Sequence, residues 1–253
     1  MEDRSALKQL IDRDEFNFND FIGEKTEGLV FDKRTLDNIY TLFKQFNIKY
    51  VDYPISSGKE SLVFKVEGAK KGIVMKIFKT STLRFQHIND YIDGDPRFAN
   101  QRKSRGTLIY VWARKEYANL LECRKFRVRV PEPFAVVNNI ILMSYIGERR
   151  TPAKKLKDIE ESQLQGYFNS AMIEYGKMVE KAKLIHADMS EYNVLCYRKR
   201  SYIIDMGQAV SYKHPKAKEF FTRDVVNMKS FAKRNELSLD EIVLPKFPGD
   251  TNE

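Results

Sequence analysis

Between residues 32 and 46, apolar side chains fall at Leu36, Ile39, Tyr40, Leu42, Phe43 and Phe46. This is the spacing of a helix with one buried face, and Asp32 stands where an N-cap belongs. The pattern then changes to short β-branched and apolar segments, Tyr50 to Ile55, Ser61 to Glu67 and Gly72 to Phe78, each bounded by Gly or Pro. They predict a small antiparallel sheet. Thr80 to Gly106 breaks the pattern with Asp93-Gly94-Asp95-Pro96 and a basic run from Arg97 to Arg105. It has few positions that could be buried and reads as a long loop, functional or disordered. Helical spacing returns over Trp112 to Phe126, followed by strands at Pro133 to Val137 and Ile140 to Met143. After these come a helix at about 159–182, a loop with strands at about 185–205 and a last helix at about 216–233. Residues 1–30 are polar with mixed charge and predict a helix or two with a mobile start. With the sheet first and the helices later, the class is α+β with two lobes, and no internal repeat is visible.

Composition narrows the picture modestly. A length of 253 residues allows one or two domains, and 42% hydrophobic content with 17 Phe and 13 Tyr allows a sizeable core. No run approaches the roughly 20 apolar residues that cross a bilayer, and the first thirty residues lack the apolar stretch of a secretory signal. A soluble intracellular protein is expected. Cys123 and Cys196 show no paired spacing, and His87, His186 and His214 do not cluster. This excludes a disulfide framework and a zinc module but leaves a single disulfide open. The net charge of +9, from 44 basic and 35 acidic side chains, favours polyanionic partners, either nucleotide phosphates or RNA. Few aromatics interleave the basic clusters, so charge suggests a partner without a means of reading it.

Four segments carry candidate chemistry. Ile55-Ser56-Ser57-Gly58-Lys59-Glu60-Ser61 is a turn between two predicted strands. Small residues there let backbone N–H groups approach a phosphate, although a plain hairpin turn has the same composition. It is not a Walker A loop, because a strand pattern follows it. Lys76 sits inside the apolar Val74-Met75-Lys76-Ile77-Phe78. A lysine there either lies on a solvated edge strand or holds an anion, with a carboxylate such as Glu116 on the next helix to orient it. His186-Ala187-Asp188-Met189-Ser190-Glu191-Tyr192-Asn193 places an Asp and an Asn five residues apart, and Ile203-Ile204-Asp205-Met206-Gly207 adds an Asp 17 residues after Asp188. Such oxygen donors suit a nucleophile-orienting carboxylate and a sparse Mg²⁺ site completed by phosphates.

In this order, Lys76, Glu116, Asp188 to Asn193 and Asp205-Met206-Gly207 resemble the strand Lys, helix Glu, H-R-D-x-x-x-x-N loop and D-F-G motif of protein kinases. Three departures narrow the match: Ser-Ser-Gly-Lys-Glu-Ser in place of a three-glycine loop, Ala187 for the catalytic-loop Arg, and Met206 for the Phe. The set is similar to the atypical RIO kinase family, closest to its type-1 branch and to its archaeal members. Val51-Asp52-Tyr53-Pro54-Ile55-Ser56-Ser57-Gly58-Lys59-Glu60 is its most specific segment. Only 48 residues follow Asp205, with no Ala-Pro-Glu segment, which agrees with a family that lacks the usual peptide-binding apparatus.

The resemblance implies a two-lobed kinase-like fold with a small antiparallel-sheet N-lobe and a reduced helical C-lobe. Residues 1–48 would form a helical extension, 49–143 the N-lobe with a flexible loop at 84–106, and 144–253 the C-lobe. It further implies that Lys76 contacts the α- and β-phosphates and pairs with Glu116, that Ser56, Ser57, Gly58, Lys59 and Glu60 cover the triphosphate, and that Val63 and Ile204 line the nucleotide. Met143-Ser144-Tyr145-Ile146 would form the interlobe hinge, with backbone groups of Ser144 and Ile146 bonding adenine and Met143 as gatekeeper, and Pro152 would close the pocket edge. Asp188 would be the catalytic carboxylate, Asn193 and Asp205 the ligands of Mg²⁺ or Mn²⁺, and Asp224 a buried brace for the catalytic loop, unless it is an ordinary exposed Asp. Ser104 is the one Ser inside the flexible loop and its candidate autophosphorylation site.

The function implied is a serine/threonine kinase or ATPase, able to phosphorylate Asp205, that assists maturation of the small ribosomal subunit. Its partners would be ATP and an RNA–protein precursor particle, with no membrane and no DNA, and a monomer would suffice. A small-molecule kinase of the aminoglycoside or choline type shares the loop motif but has a larger, acidic C-terminal lobe. An inactive ribosome-binding scaffold is the alternative from outside enzymology.

Overall fold

The computed structural model describes residues 33–68, 72–79, 85–98, 107–240, 242 and 244–248. The expected N-terminal helices, the Asp32 cap and Ser104 lie outside the described residues. Two compact units are present. One takes the described residues up to 79 together with Phe134–Tyr145, and the other takes the described residues of 85–133 and those from Ile146 onward.

The first unit is a five-stranded sheet under one helix. Helix α1 (Lys33–Gln45) is followed by β1 (Ile48–Ser57), β2 (Ser61–Gly68) and β3 (Ile73–Phe78), with β4 (Pro133–Val137) and β5 (Ile140–Ser144) completing the sheet in the order β1-β2-β3-β5-β4. β1–β2, β2–β3 and β3–β5 pair antiparallel. Period-two alternation sorts the side chains. Phe64, Val66, Ile73, Met75, Ile77, Ile140 and Leu142 join Ile39, Leu42 and Phe43 of α1 in one buried cluster. Val74, Lys76 and Phe78 therefore point to the opposite face, where Val63 and Ile141 flank Lys76 across the sheet and Met143 lies beside Val74. β3 is central and Lys76 is only 6% exposed, which overturns the edge-strand reading of this lysine.

The second unit holds α2 (Phe85–Ile92), α3 (Leu108–Lys125), the short strand pair β6 (Gly147–Glu148) and β7 (Thr151–Pro152), and β8 (Lys154–Lys155). These are followed by α4 (Glu161–Glu180), β9 (Leu184–Ile185), β10 (Val194–Tyr197), β11 (Arg200–Ile203), β12 (Val210–Ser211) and α5 (Ala217–Arg234). β11-β10-β8 form a small sheet and β12-β9 a second pair. The α4 face of Leu164, Phe168, Met172 and Tyr175 is buried, and Phe168 stacks on Phe231 of α5 at 6.1 Å.

Within the segment expected to be one long loop, the described residues 85–98 are structured. Ile88, Ile92 and Phe98 are buried, and Tyr91 packs on Trp112 of α3 and Phe220 of α5 at centroid distances of 6.1 and 5.3 Å. Its polar composition hid this, because the apolar anchoring side chains are few. Helix α3, assigned from sequence to the N-lobe, groups with the second unit. Its Trp112, Lys115 and Asn119 face the Asp205-Met206-Gly207 segment and the residues just after it.

Candidate active site

On the first unit, the turn after β1 is closed by Gly58 N–H donating to the Ser61 carbonyl at 2.9 Å. Its far side is fastened by Lys79, whose backbone N–H donates to the Glu60 carbonyl at 2.9 Å and whose Nζ donates to the Gly58 carbonyl at 2.7 Å. Burial lowers the Lys79 ammonium pKa below that of a free lysine. Ser56 and Ser57 end β1, and Lys59 and Glu60 sit on the exposed tip. This is a small-residue turn whose carbonyls are held from behind. On the sheet face opposite the buried cluster lie Lys76, with Nζ 4.9 Å over the Phe78 ring, Val63 across from it and Met143 of β5, while Ser144, paired with Ile73, ends β5.

On the second unit, the catalytic-loop residues come together around one buried carboxylate. Asp224 of α5 is 0% exposed and accepts from Ala187 N–H at 2.8 Å, Met189 N–H at 2.9 Å and Tyr175 O–H at 2.9 Å. Burial raises its pKa, and its three donors and the nearby His186 oppose the shift. The two amides flank Asp188, so Asp224 grips the backbone on both sides of the candidate catalytic residue. Ala187 adopts a left-handed φ of 65°, a conformation that costs a non-glycine residue about 1–2 kcal/mol. Arg223 donates to its carbonyl from the other side. The preceding His186 is fully buried and donates from Nε2 to the Ile204 carbonyl at 3.0 Å.

The β10–β11 hairpin brings the remaining residues to one end. Val194 pairs with Ile203, and Ile204 N–H donates to the Asn193 carbonyl at 3.0 Å, so Asn193 and Asp205 are placed on abutting backbone. Asp205 also has a left-handed φ of 63°, which Asp tolerates better than most residues. Asn193 Nδ2 donates to the Asp188 carbonyl oxygen and carboxylate, both at 2.9 Å, which commits its amide nitrogen and makes Oδ1 the metal-donor candidate. Desolvation raises the Asp188 pKa and the Asp205 charge adds to this, while His186, Asn193 and Arg223 oppose it. Among the described residues no group of three or more His, Cys, Asp or Glu side chains converges. The candidate donors, the Asn193 amide oxygen and the Asp205 carboxylate, are of the kind that suits a hard divalent cation taking its other ligands from phosphates and water.

Of the remaining candidates, Glu116 is buried on α3, and Ile146 precedes the β6–β7 pair, where its carbonyl accepts from Ala153 N–H at 3.0 Å. Pro152 lies in β7, and Ile204 directly precedes Asp205. Asp224 is the buried brace and not an exposed acid. Sequence reasoning missed Lys79, Tyr175, Lys115 and Asn119. The last two did leave a signal: polar residues at i and i+4, on the same face as Trp112 and the buried Cys123 of an otherwise apolar helix stripe.

A five-stranded sheet unit with a buried lysine, and a helical unit with an Asp–Asn loop and a following Asp, define a two-lobed protein-kinase-like fold. Solved structures agree: the crystal structure of the Rio2 kinase–ADP/Mg²⁺–phosphoaspartate complex from Chaetomium thermophilum matches with a TM-score of 0.62 at 24% identity, over 85% of this chain and 64% of that one. The RIO domain model matches residues 62–243, and the chain belongs to this family of atypical serine/threonine kinases, in its Rio1 branch. The RIO-type serine/threonine-protein kinase Rio1 of Haloferax volcanii is 36% identical over 99% of this chain and 88% of its own length. That of Thermoplasma acidophilum is 41% identical over 71% of this chain and 94% of its own. No helix among the described residues is long and apolar enough to cross a membrane.

Proposed function

We propose that this chain is an ATP-dependent serine/threonine protein kinase with ATPase activity. The carrying observation is the Asp224 clamp beside the β10–β11 hairpin, which sets Asp188, Asn193 and Asp205 on abutting stretches of backbone. Lys76 binds the α- and β-phosphates and pairs with Glu116, and the turn from Ser56 to Glu60 covers the triphosphate. Val63 and Ile204 line the nucleotide. Met143, Ser144 and Ile146 contact adenine, and Pro152 bounds the pocket. Asn193 and Asp205 hold Mg²⁺, or Mn²⁺, which when bound neutralises charge developing on the transferred phosphoryl group. Asp188, its basicity raised by desolvation, orients the attacking hydroxyl and accepts its proton.

With Asp205 itself as nucleophile, a carboxylate oxygen bonds to the γ-phosphorus, the bond to the β-phosphate bridging oxygen breaks and ADP leaves. Water then hydrolyses the acyl phosphate to release phosphate. The phosphoaspartate named for the Rio2 structure supports this route. Autophosphorylation falls on Ser104, and the net charge of +9 suits an RNA–protein particle, the small-subunit precursor, met in the cytoplasm.

The test is ATP turnover and phosphotransfer with and without that precursor, comparing wild type with Asp188→Ala and Asp205→Ala. Both variants are expected to lose transfer. Equal activity in all three proteins refutes the site. Phosphorylation of aminoglycosides or choline without self-phosphorylation marks a small-molecule kinase. Precursor binding with no turnover in any protein marks a scaffold.

A further inference from the structure

Helix α3 carries a second polar constellation, aimed at the backbone that follows Asp205. Lys115 is 0% exposed, and its Nζ donates to the Gly207 carbonyl at 2.9 Å and to that of Ala209. One turn later Asn119, also fully buried, donates from Nδ2 to the carbonyls of Met206 and Ala209, both at 2.8 Å. Four hydrogen bonds therefore run from one helix face to the carbonyls of Met206, Gly207 and Ala209. Burying a lysine and an asparagine completely is costly unless every polar atom is used. Here the two side chains replace the backbone partners that an irregular segment lacks.

The orientation of the Asn119 amide is itself fixed. Arg97 Nη1 donates to Asn119 Oδ1 at 2.8 Å, which leaves Nδ2 for the Met206 and Ala209 carbonyls. Arg97 is in turn held by Asp95, whose side chain is 0% exposed and accepts from Arg97 Nε at 3.0 Å and Nη2 at 2.6 Å. The basic segment read from sequence as a loop thus supplies an arginine that determines which way a buried amide faces.

We propose that Lys115 and Asn119, with Arg97 behind them, are positioning residues that hold the 206–209 backbone so that the left-handed Asp205 presents its carboxylate to the divalent cation. The proposal rests on the kinase reading of Asp205 and deepens it. None of the three touches the reacting atoms. They act on metal affinity through the segment that Asp205 begins, in the way that removing outer-shell partners of metal ligands typically costs about 10–100-fold in affinity or activity.

The experiment is Mg²⁺ titration of the binding of a non-hydrolysable ATP analogue to the full chain, beside binding of the same analogue without metal. Hydrogen exchange of the 205–209 amides is followed in parallel. Lys115→Met and Asn119→Leu are expected to raise the apparent Mg²⁺ dissociation constant by about tenfold or more, with metal-free analogue affinity held and amide exchange accelerated. Arg97→Gln, at a partly exposed position, should shift both readouts in the same direction by less, and it decides the matter alone if either helix variant fails to fold. Wild-type Mg²⁺ dependence in the folded variants overturns the inference, provided Asp205→Ala abolishes that dependence. If Asp205→Ala leaves it intact, the kinase reading of Asp205 fails instead.

Discussion

Replacing Asp224 by Asn removes one charge and one acceptor while keeping the shape of the side chain, and the geometry gives the size of the effect. One carboxylate oxygen accepts from Tyr175 and Ala187, the other from Met189. The better placement of an amide puts its oxygen at the first position and its NH₂ against the Met189 N–H. One buried donor then faces another donor, a loss of about 1–3 kcal/mol. The two surviving bonds weaken from charge-assisted to neutral, but relief of a desolvated carboxylate, the first cause of its raised pKa, offsets that change. The Met189 conflict therefore decides the sum. For a chain of 253 residues this corresponds to a fall in Tm of roughly 2–12 °C. Because Ala187 and Met189 bracket Asp188, kcat for phosphotransfer should fall by up to about a hundredfold, the scale of a displacement of about 1 Å, with KM for ATP little changed. Thermal unfolding at neutral pH and steady-state kinetics measure both. An Asn variant that melts within about 1 °C of wild type and keeps its kcat would show that these bonds do not hold the loop.

Further outcomes follow from the same contacts. Gly207→Ala places a Cβ 2.9 Å from Trp112 Cε2 and Nε1, so overpacking should cost about 1–3 kcal/mol in urea denaturation, whereas unchanged stability would mean that Trp112 yields freely. Burial brings the Lys115 ammonium down to about 7 from 10.5, so between these values the folded chain binds fewer protons than the unfolded one and its stability rises with pH. Urea denaturation at about pH 7 and pH 9 should show wild type gaining on Lys115→Met, and parallel curves would refute the shift. Cys123 and Cys196 are buried free thiols, and desolvation pushes Cys196 up to about 12 and Cys123 upward as well. A thiol reagent should label neither in the native chain and both in denaturant, while labelling of the native protein would refute their burial.

The sequence made the element order and the grouping of the candidate loop residues readable because both are local. Helical spacing marked α1, α3, α4 and α5, and the residues of the catalytic loop and of Asp205-Met206-Gly207 sit close together in the chain. What it concealed depends on contacts between distant residues. The central place of β3, and so the burial of Lys76, comes from β5 inserting beside it from about sixty residues away. The loop at 84–106 looked unstructured because three buried apolar residues and one aromatic cluster were diluted among charges. The role of Lys115 and Asn119 could not be read locally, because their acceptors, Met206, Gly207 and Ala209, lie about ninety residues downstream.

The insertion of β5 beside β3 also has a consequence in time. Lys76 pairs with Ile141, so the sheet of the first unit cannot close until a stretch of the second has been synthesised. At about 5–20 residues per second, a ribosome takes roughly 3–13 s to travel between those partners. Through that interval the β3 edge, with Ile73, Met75 and Ile77 on its core face, stands without its neighbour. An unpaired apolar edge is a template for mispairing. Newly made chains are therefore most exposed to aggregation before residue 144 emerges, and slow translation across 85–133 lengthens that window.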